Sequence, residues 1–118
     1  MNSDIIKDKA IDYINNNKFD LAISEIKKVV ISANDYALYF LLASSYYYLK
    51  NYSEAEVNLK KSINLKSDFP DAHFLLAQIY LDEGKYQEAE KSSHEALELV
   101  PGSVDGLSCL AASLLGNG

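Results

Sequence analysis

Between residues 70 and 103 the apolar positions repeat with the period of an α-helix, in two consecutive blocks. The first block is a stripe at i, i+3, i+4 and i+7, formed by His73, Leu76, Ala77 and Tyr80. The second is a stripe that includes small residues, formed by Tyr86, Ala89, Ser93, Ala96 and Leu97. Gly84 lies between the blocks, where a turn needs a residue that tolerates a positive φ. The pattern predicts a helical hairpin whose backbones approach closely at Ala89 and Ala96.

The same pattern recurs toward the N-terminus at intervals of 33 and 34 residues. The matching positions are Tyr13, Tyr46 and Tyr80, then Ala22, Ala55 and Ala89, then Phe19, Tyr52 and Tyr86. Beyond residue 103 the first stripe appears once more, in Leu107, Leu110, Ala111 and Leu114. A single hairpin of this size cannot bury both of its stripes, so we expect successive hairpins to stack on one another.

A period near 34 residues, with a small residue before x-Tyr, an aromatic-x-x-Ala pattern and a closing Pro101, resembles the tetratricopeptide repeat (TPR). The resemblance covers nearly the whole chain and implies an all-α fold, a right-handed α-solenoid of helix-turn-helix hairpins with about seven helices. It divides a single TPR domain, residues 1–118, into repeats 3–35, 36–69 and 70–103. Residues 104–115 then form a partial fourth repeat or a capping helix.

The helix ends follow from capping and turn residues. Ser3 or Asn2 is expected to cap the first helix, which ends near Asn15, and one helix is predicted over residues 19–32. The helix over residues 36–49 is apolar nearly all round, which predicts burial on several sides. Gly116, Asn117 and Gly118 stand where a hairpin turn would follow the last helix.

The last predicted helix has two interpretations. A terminal helix of a repeat array normally acts as a cap with a polar outer face. This helix carries one charge, Asp105, so the alternative is a chain that ends inside its fourth repeat or an end covered by another molecule. The second interpretation predicts self-association, and a homo-oligomer, through Leu107, Leu110, Leu114 and Leu115.

Charge restricts the classes of partner. The net charge is −6 and arginine is absent. From Asp68 onward there are nine acidic residues and two lysines, a net charge of −7, whereas residues 1–67 carry nine lysines and eight acids, a net charge of +1. An acidic half without arginine argues against binding to nucleic acid and to anionic membrane surfaces. It permits a basic partner.

Location is predicted from two further features. The single cysteine, Cys109, cannot form an internal disulfide, which favours a reducing compartment and a cytoplasmic protein. No apolar run approaches about 18 residues, and the polar, acidic N-terminal segment does not resemble a signal peptide, so no membrane insertion is expected.

The sequence offers little for catalysis. His73 occupies a position where the family has a large packing residue, so a helix contact is the simpler interpretation. Glu90, His94 and Glu98 form an i, i+4, i+8 ladder that could hold a metal, although a solvated charged face is favoured. Cys109 has no predicted base nearby, and no phosphate loop or nucleophile–base arrangement is present. We therefore predict no enzymatic activity, no metal and no cofactor.

The resemblance also implies a site, because in TPR proteins the first helices of successive repeats line a concave groove that binds partners. Carried over position by position, the groove residues of this chain are Lys7, Ile11, Phe40, Ser44, Tyr47, Tyr48, Asp71, Phe74, Gln78, Leu81, Asp82 and Asp105, and the partial fourth repeat adds Ser108, Ala112 and Leu115. This surface is aromatic in the middle and acidic toward the C-terminal end. It predicts a scaffold that binds a peptide or helix of a partner protein through apolar and basic side chains.

One well-known TPR ligand is not expected. TPR domains that grip the acidic tails of heat-shock chaperones use a clamp of basic and amide residues on their first helices. Lys7 fits the first clamp position. The other positions are occupied by Ile11, Leu41, Asp71 and Leu75, so the clamp is incomplete and carries an acid where a lysine is required.

Overall fold

The computed structural model describes residues 3–117, and every secondary-structure element in that range is helical. The elements are α1 (Ser3–Asn15), α2 (Phe19–Lys27), α3 (Val30–Ala33), α4 (Tyr36–Tyr48), α5 (Tyr52–Leu65), α6 (Pro70–Asp82), α7 (Tyr86–Leu99) and α8 (Val104–Asn117). Two compact units are formed, unit 1 with residues Met1–Lys66 and unit 2 with residues Ser67–Gly118. Ser3 is the first residue of α1, while the alternative cap, Asn2, lies outside the described residues, as does Gly118.

Unit 1 is built around α4. This helix packs against α1, α2 and α5. Its buried residues point in several directions around the helix and are Leu38, Tyr39, Leu42, Ala43, Ser44, Ser45 and Tyr46. The apolar sequence of α4 is thereby explained, because a helix with neighbours on several sides has no broad face left for water. Asp35 caps α4 by accepting a hydrogen bond from the Ala37 amide at 2.8 Å.

The helix predicted over residues 19–32 is divided into α2 and α3. The break falls at Val29, which has φ −129° and ψ −13° and whose amide donates to the Ile26 carbonyl rather than one residue further back. Val29, Val30 and Ile31 are consecutive β-branched residues, which crowd the preceding turn of a helix and lower its stability. Periodicity alone did not reveal this break, because the apolar spacing continues across it.

All three hairpin turns use the same backbone motif. Asn17, Lys50 and Gly84 have φ values of 60°, 63° and 75°, in the left-handed region. The amide that follows each of them donates to the carbonyl of a repeat tyrosine, in the pairs Lys18 to Tyr13 at 2.7 Å, Asn51 to Tyr46 at 2.9 Å and Lys85 to Tyr80 at 2.8 Å. This is the Schellman closure of a helix C-terminus, repeated at the period of the sequence.

Unit 2 consists of α6, α7 and α8, with α7 packed against both of the others. Ala89, Ser93 and Ala96 are fully buried on α7, which confirms the close approach predicted for the small-residue stripe. His73 is buried on α6, where its Nε2 lies 2.9 Å from the Ser67 carbonyl oxygen and its Nδ1 lies 3.2 Å from Oε2 of Glu95.

Helix α8 differs from its prediction at its C-terminal end. It continues to Asn117, so Gly116 and Asn117 are helical and do not form a turn. Gly116 lies directly against the Tyr86 ring, where a Cβ atom would overlap with the ring. The buried residues of α8 are Gly106, Cys109 and Ser113, because small side chains allow the helix to lie close to its neighbours. The leucine stripe faces outward. None of the helices between Ser3 and Asn117 has both the length and the apolar character needed to cross a bilayer.

Candidate functional site

Unit 2 contains an open groove between α6, α7 and α8, with a volume of about 540 Å³. Its lining residues are Gln78, Leu81, Tyr86, Ser108, Cys109, Ala112, Leu115 and Gly116. Gln78 and Leu81 are residues that the TPR resemblance had assigned to a partner-binding groove. The structure brings these two together with residues of α8 in this groove.

The walls of this groove are largely apolar, and its polar groups are held in place. The Nε2 atom of Gln78 donates a hydrogen bond to Oδ1 of Asp82 at 2.9 Å, which fixes the amide beside a carboxylate. Burial raises the pKa of the Cys109 thiol, and the charge of Asp105 raises it further. Cys109 is therefore held as the neutral thiol and acts as an apolar part of the wall.

The acidic residues assigned to the groove lie at helix ends. Asp71 and Asp105 are exposed in the first turns of α6 and α8, and Asp82 is exposed at the last residue of α6. Carboxylates in a first turn stabilise a helix through its dipole, so Asp71 and Asp105 have a local role as well. They belong to the acidic excess of residues 68–118, which carry a net charge of −7.

Phe74 takes part in packing within unit 2. A Cβ atom placed on Gly106 would stand 2.9 Å from Cε1 of Phe74 and 2.8 Å from Cδ2 of Leu97. The Phe74 ring thus lies against the backbone of α8. Its assignment to the groove came from its repeat position, which does not distinguish a side chain facing a ligand from one facing the next helix.

The predicted groove residues of unit 1 include an aromatic cluster and three residues that differ in their exposure to solvent. Tyr47 and Tyr48 form an aromatic cluster with Phe19 and Tyr52, with ring centroids 5.0 Å apart for Phe19–Tyr48, 5.5 Å for Tyr47–Tyr48 and 5.9 Å for Tyr47–Tyr52. Ser44 is buried and its hydroxyl donates to the Phe40 carbonyl at 2.9 Å, so it offers a partner little surface. Phe40 itself is half-buried, and Ile11 is exposed.

Lys7 is engaged by carboxylates of its own unit. It forms ion pairs with Asp35 and, at 3.5 Å, with Asp4. The hydrogen bond to Asp35 raises the pKa of Lys7. Because the positive charge of Lys7 is already balanced by these carboxylates, Lys7 is less suited to bind an acidic ligand.

Exposed leucines mark the outer face of α8. The exposed fractions of Leu107, Leu114 and Leu115 are 50%, 49% and 83%, and Leu110 is half-buried. On α6 the corresponding stripe of His73, Leu76, Ala77 and Tyr80 is buried. Leu115 borders the groove as well, so this residue belongs to both candidate surfaces.

Each of the two histidines lies beside a carboxylate of α7. His94 Nε2 lies 3.8 Å from Oε1 of Glu90, and no group of three potential ligands among residues 3–117 could hold a metal ion. The repeat pattern did not mark three residues of the unit 2 groove, which are Tyr86, Cys109 and Gly116. The one sequence signal for Gly116 was its lack of a side chain, because the Tyr86 ring occupies the space that a Cβ atom would need.

Comparison with known proteins agrees with this arrangement of helical hairpins. A family model for the TPR repeat matches residues 43–84, and one for the tetratricopeptide repeat matches residues 70–103. Together they span residues 43–103, more than half of the chain. The protein is a helical-repeat protein, and it belongs to the tetratricopeptide repeat family. No curated protein sequence matches it significantly.

Solved structures show the same fold at low sequence identity. The first TPR domain of human RPAP3 is 24% identical, with a TM-score of 0.90 over 96% of this chain and 90% of that one. The first TPR of Spaghetti (RPAP3), bound to an HSP90 peptide, is 24% identical with a TM-score of 0.91 over 96% and 93% of the two chains. The Yersinia enterocolitica type III secretion chaperone SycD, in complex with a peptide of the translocator YopD, is 18% identical with a TM-score of 0.88 over 98% and 94%.

Proposed function

We propose that this protein is an interaction scaffold that binds a peptide or helix of a partner protein in the groove of unit 2. The observation that carries the proposal is the groove of about 540 Å³, which combines an apolar lining with residues that the TPR pattern assigns to ligand binding. Peptides bound to Spaghetti and to SycD support this type of function. The role is one of binding without catalysis, in keeping with the family.

The proposed ligand presents apolar side chains to the groove and carries basic residues. Leu81, Tyr86 and Ala112 supply apolar surface, while Asp71, Asp82 and Asp105 supply negative charge in the same unit. An acidic tail of the kind bound by Spaghetti is not proposed. Asp71 and Leu75 occupy clamp positions that require basic residues, and Lys7 is paired with Asp35.

The contribution of unit 1 stays a prediction. Its aromatic residues Tyr47 and Tyr48 are suited to anchoring apolar side chains, and Ile11 adds exposed apolar surface. The cytoplasmic location and the absence of nucleic-acid binding also stay predictions from the sequence.

The experiment compares two neighbouring alanines on α8. Ala112 lines the groove and Ala111 does not, although both are exposed. Ala112→Trp fills the groove, so it should abolish retention of the partner when the chain is used to capture proteins from a native lysate. Ala111→Trp adds the same side chain one residue away and should retain that partner. Identical sets of captured proteins for both variants and the wild type would contradict the groove assignment.

A second candidate function is self-association through the outer face of α8. The exposure of Leu107 and Leu114 favours it, since exposed apolar stripes commonly mark association sites. Sedimentation equilibrium should show concentration-dependent mass for the wild type and a monomer for a Leu107→Ser/Leu114→Ser variant.

Salt should leave this apolar association intact but weaken binding of a basic ligand, because screening acts beyond a Debye length of about 8 Å at 0.15 M. A wild-type monomer at all usable concentrations would exclude self-association.

A further inference from the structure

Unit 1 contains a second groove, separate from every residue assigned to partner binding above. It has a volume of about 280 Å³ and lies between α2, α3, α4 and α5. Tyr39, Leu42 and Tyr46 form its floor at i, i+3 and i+7 of α4, and all three are buried. A continuous floor of this kind has the length of two helical turns, about 10 Å from Tyr39 to Tyr46.

Large apolar side chains remain in water at the edges of this groove. Ile31, from α3, is 84% exposed, and Val57, from α5, is 49% exposed. Each lines the groove from one side. Covering them is favourable by about 25 cal/mol for each Å² of apolar surface removed from water. The groove therefore suits an apolar stripe that can contact both walls and the floor.

The positive charges of the groove are placed over its floor. The Nζ atom of Lys61, on α5, lies 5.6 Å from the centroid of the Tyr39 ring, and Nζ of Lys27, on α2, lies 5.6 Å from that of Tyr46. These are cation–π contacts, which hold each ammonium group above a ring. A hydrogen bond with Tyr46 raises the pKa of Lys27, which favours the positively charged form of this lysine.

One acidic residue, Glu54, also lines the groove and lies close enough to Lys27 to raise its pKa through its charge. The described groove thus holds two cations, one from α2 and one from α5, over rings that are seven residues apart on α4, and one carboxylate near one of them. This pattern is the electrostatic complement of a segment with an acidic residue on each side of an apolar stripe.

We propose that this groove binds an acidic amphipathic helix of another protein. Its apolar stripe lies on Tyr39, Leu42 and Tyr46 between Ile31 and Val57, and its carboxylates face Lys61 and Lys27. The site is independent of the groove in unit 2 and selects the opposite charge. Two lysines over an apolar floor do not form the extended basic surface that a nucleic-acid backbone requires, so a protein segment is the better occupant.

The test uses two synthetic peptides of about 16 residues, long enough for four helical turns. Both carry leucines at i, i+3 and i+7. One has glutamates on both sides of this stripe and the other has lysines at the same positions. Fluorescence anisotropy with the full chain should show that the glutamate peptide binds more tightly than the lysine peptide.

Variants at the walls give opposite expected effects. Lys27→Gln and Lys61→Gln should each weaken binding of the glutamate peptide about twofold to fivefold, the range for an exposed ion pair. Glu54→Gln should strengthen it by a similar factor, because the competing carboxylate is removed. A Lys27→Glu/Lys61→Glu variant should prefer the lysine peptide. All three positions are exposed, so unfolding is not expected, and circular dichroism checks this.

Two controls separate this site from others. Lys28→Gln alters an exposed lysine that pairs with Glu25 at 3.1 Å and does not line the groove, so it should change nothing. Ala112→Trp, which blocks the groove of unit 2, should also leave peptide binding unchanged. The proposal is overturned if neither peptide binds, if both bind equally, or if Glu54→Gln weakens binding. It is equally overturned if a single-stranded oligonucleotide competes for Lys27 and Lys61 more strongly than the glutamate peptide.

Discussion

At single positions, side-chain size decides how closely the hairpins pack. Ala89 on α7 has no exposed surface, and its counterparts Ala22 and Ala55 are also fully buried. Small residues at these positions allow the paired helices to approach, and the 34-residue period makes them visible in the sequence. A larger side chain has no space there without displacing a helix.

We expect Ala89→Leu to lower the free energy of unfolding by about 1–3 kcal/mol, the usual cost of overpacking a core. The measurement is a urea melt followed by circular dichroism. Lys91→Leu, at an exposed position two residues along the same helix, is the matched control and should be nearly neutral. A neutral result for Ala89→Leu would mean that close approach of α6 and α7 at this point is not required.

The backbone conformation of single residues is only partly determined by the local sequence. Asn17 and Gly84 are residue types that tolerate the left-handed region, and the turn at Gly84 was predicted from that tolerance. Lys50 adopts the same conformation at φ 63°, although lysine has no such preference. The Schellman bond from Asn51 to Tyr46 and the packing of α4 and α5 impose it, which is a tertiary effect that local sequence does not encode.

At the scale of the helix, α4 depends on a cap that titrates. Burial alone would raise the pKa of Asp35, but hydrogen bonds from Lys7 and from the Ala37 amide outweigh it and hold this pKa below its ordinary value of 3.8. A carboxyl with a lowered pKa in the folded state stabilises the fold above its unfolded pKa. That stability is lost as the pH falls through the lower, folded value.

We therefore expect the free energy of unfolding to fall more steeply for the wild type than for Asp35→Asn between about pH 5 and about pH 2. Asparagine can still cap α4 but cannot titrate, so it isolates the charge. Urea melts at a series of pH values give both slopes, with Asp8→Asn as an exposed control. Equal slopes for wild type and Asp35→Asn would show that the Lys7–Asp35 pair contributes no pH-dependent stability.

Helix α8 illustrates why the prediction of a helix is easier than the prediction of its buried face. Periodicity identified the element and its leucine stripe correctly. The face that packs is formed by Gly106, Cys109 and Ser113, whose small side chains give close contact with α7 and α6 but do not stand out in the apolar pattern. The positions of Tyr86 and Gly116 in the groove between these helices follow from the face that packs, so they were not visible in the sequence.

For the whole molecule, charge is divided between the two units. Unit 2 carries the acidic excess, and Asp82 accepts a hydrogen bond from Gln78 of its groove, while the second groove in unit 1 is flanked by Lys27 and Lys61. The family and the hairpin architecture could be predicted from the repeat alone. Some residues of the unit 2 groove were assigned from the repeat pattern, but the groove of unit 1 was not predicted, because a groove depends on which side chains of neighbouring helices leave space between them.

The measurement that tests the central claim most directly is an amide chemical-shift map of the ¹⁵N-labelled chain, titrated with the segment of the partner captured as described above. The account predicts that the largest changes occur at groove residues of α6 and α8, namely Gln78, Leu81, Ser108 and Ala112, and that they disappear in Ala112→Trp. Changes confined to the outer face of α7, around His94 and Glu98, or to the leucine stripe of α8 would contradict it.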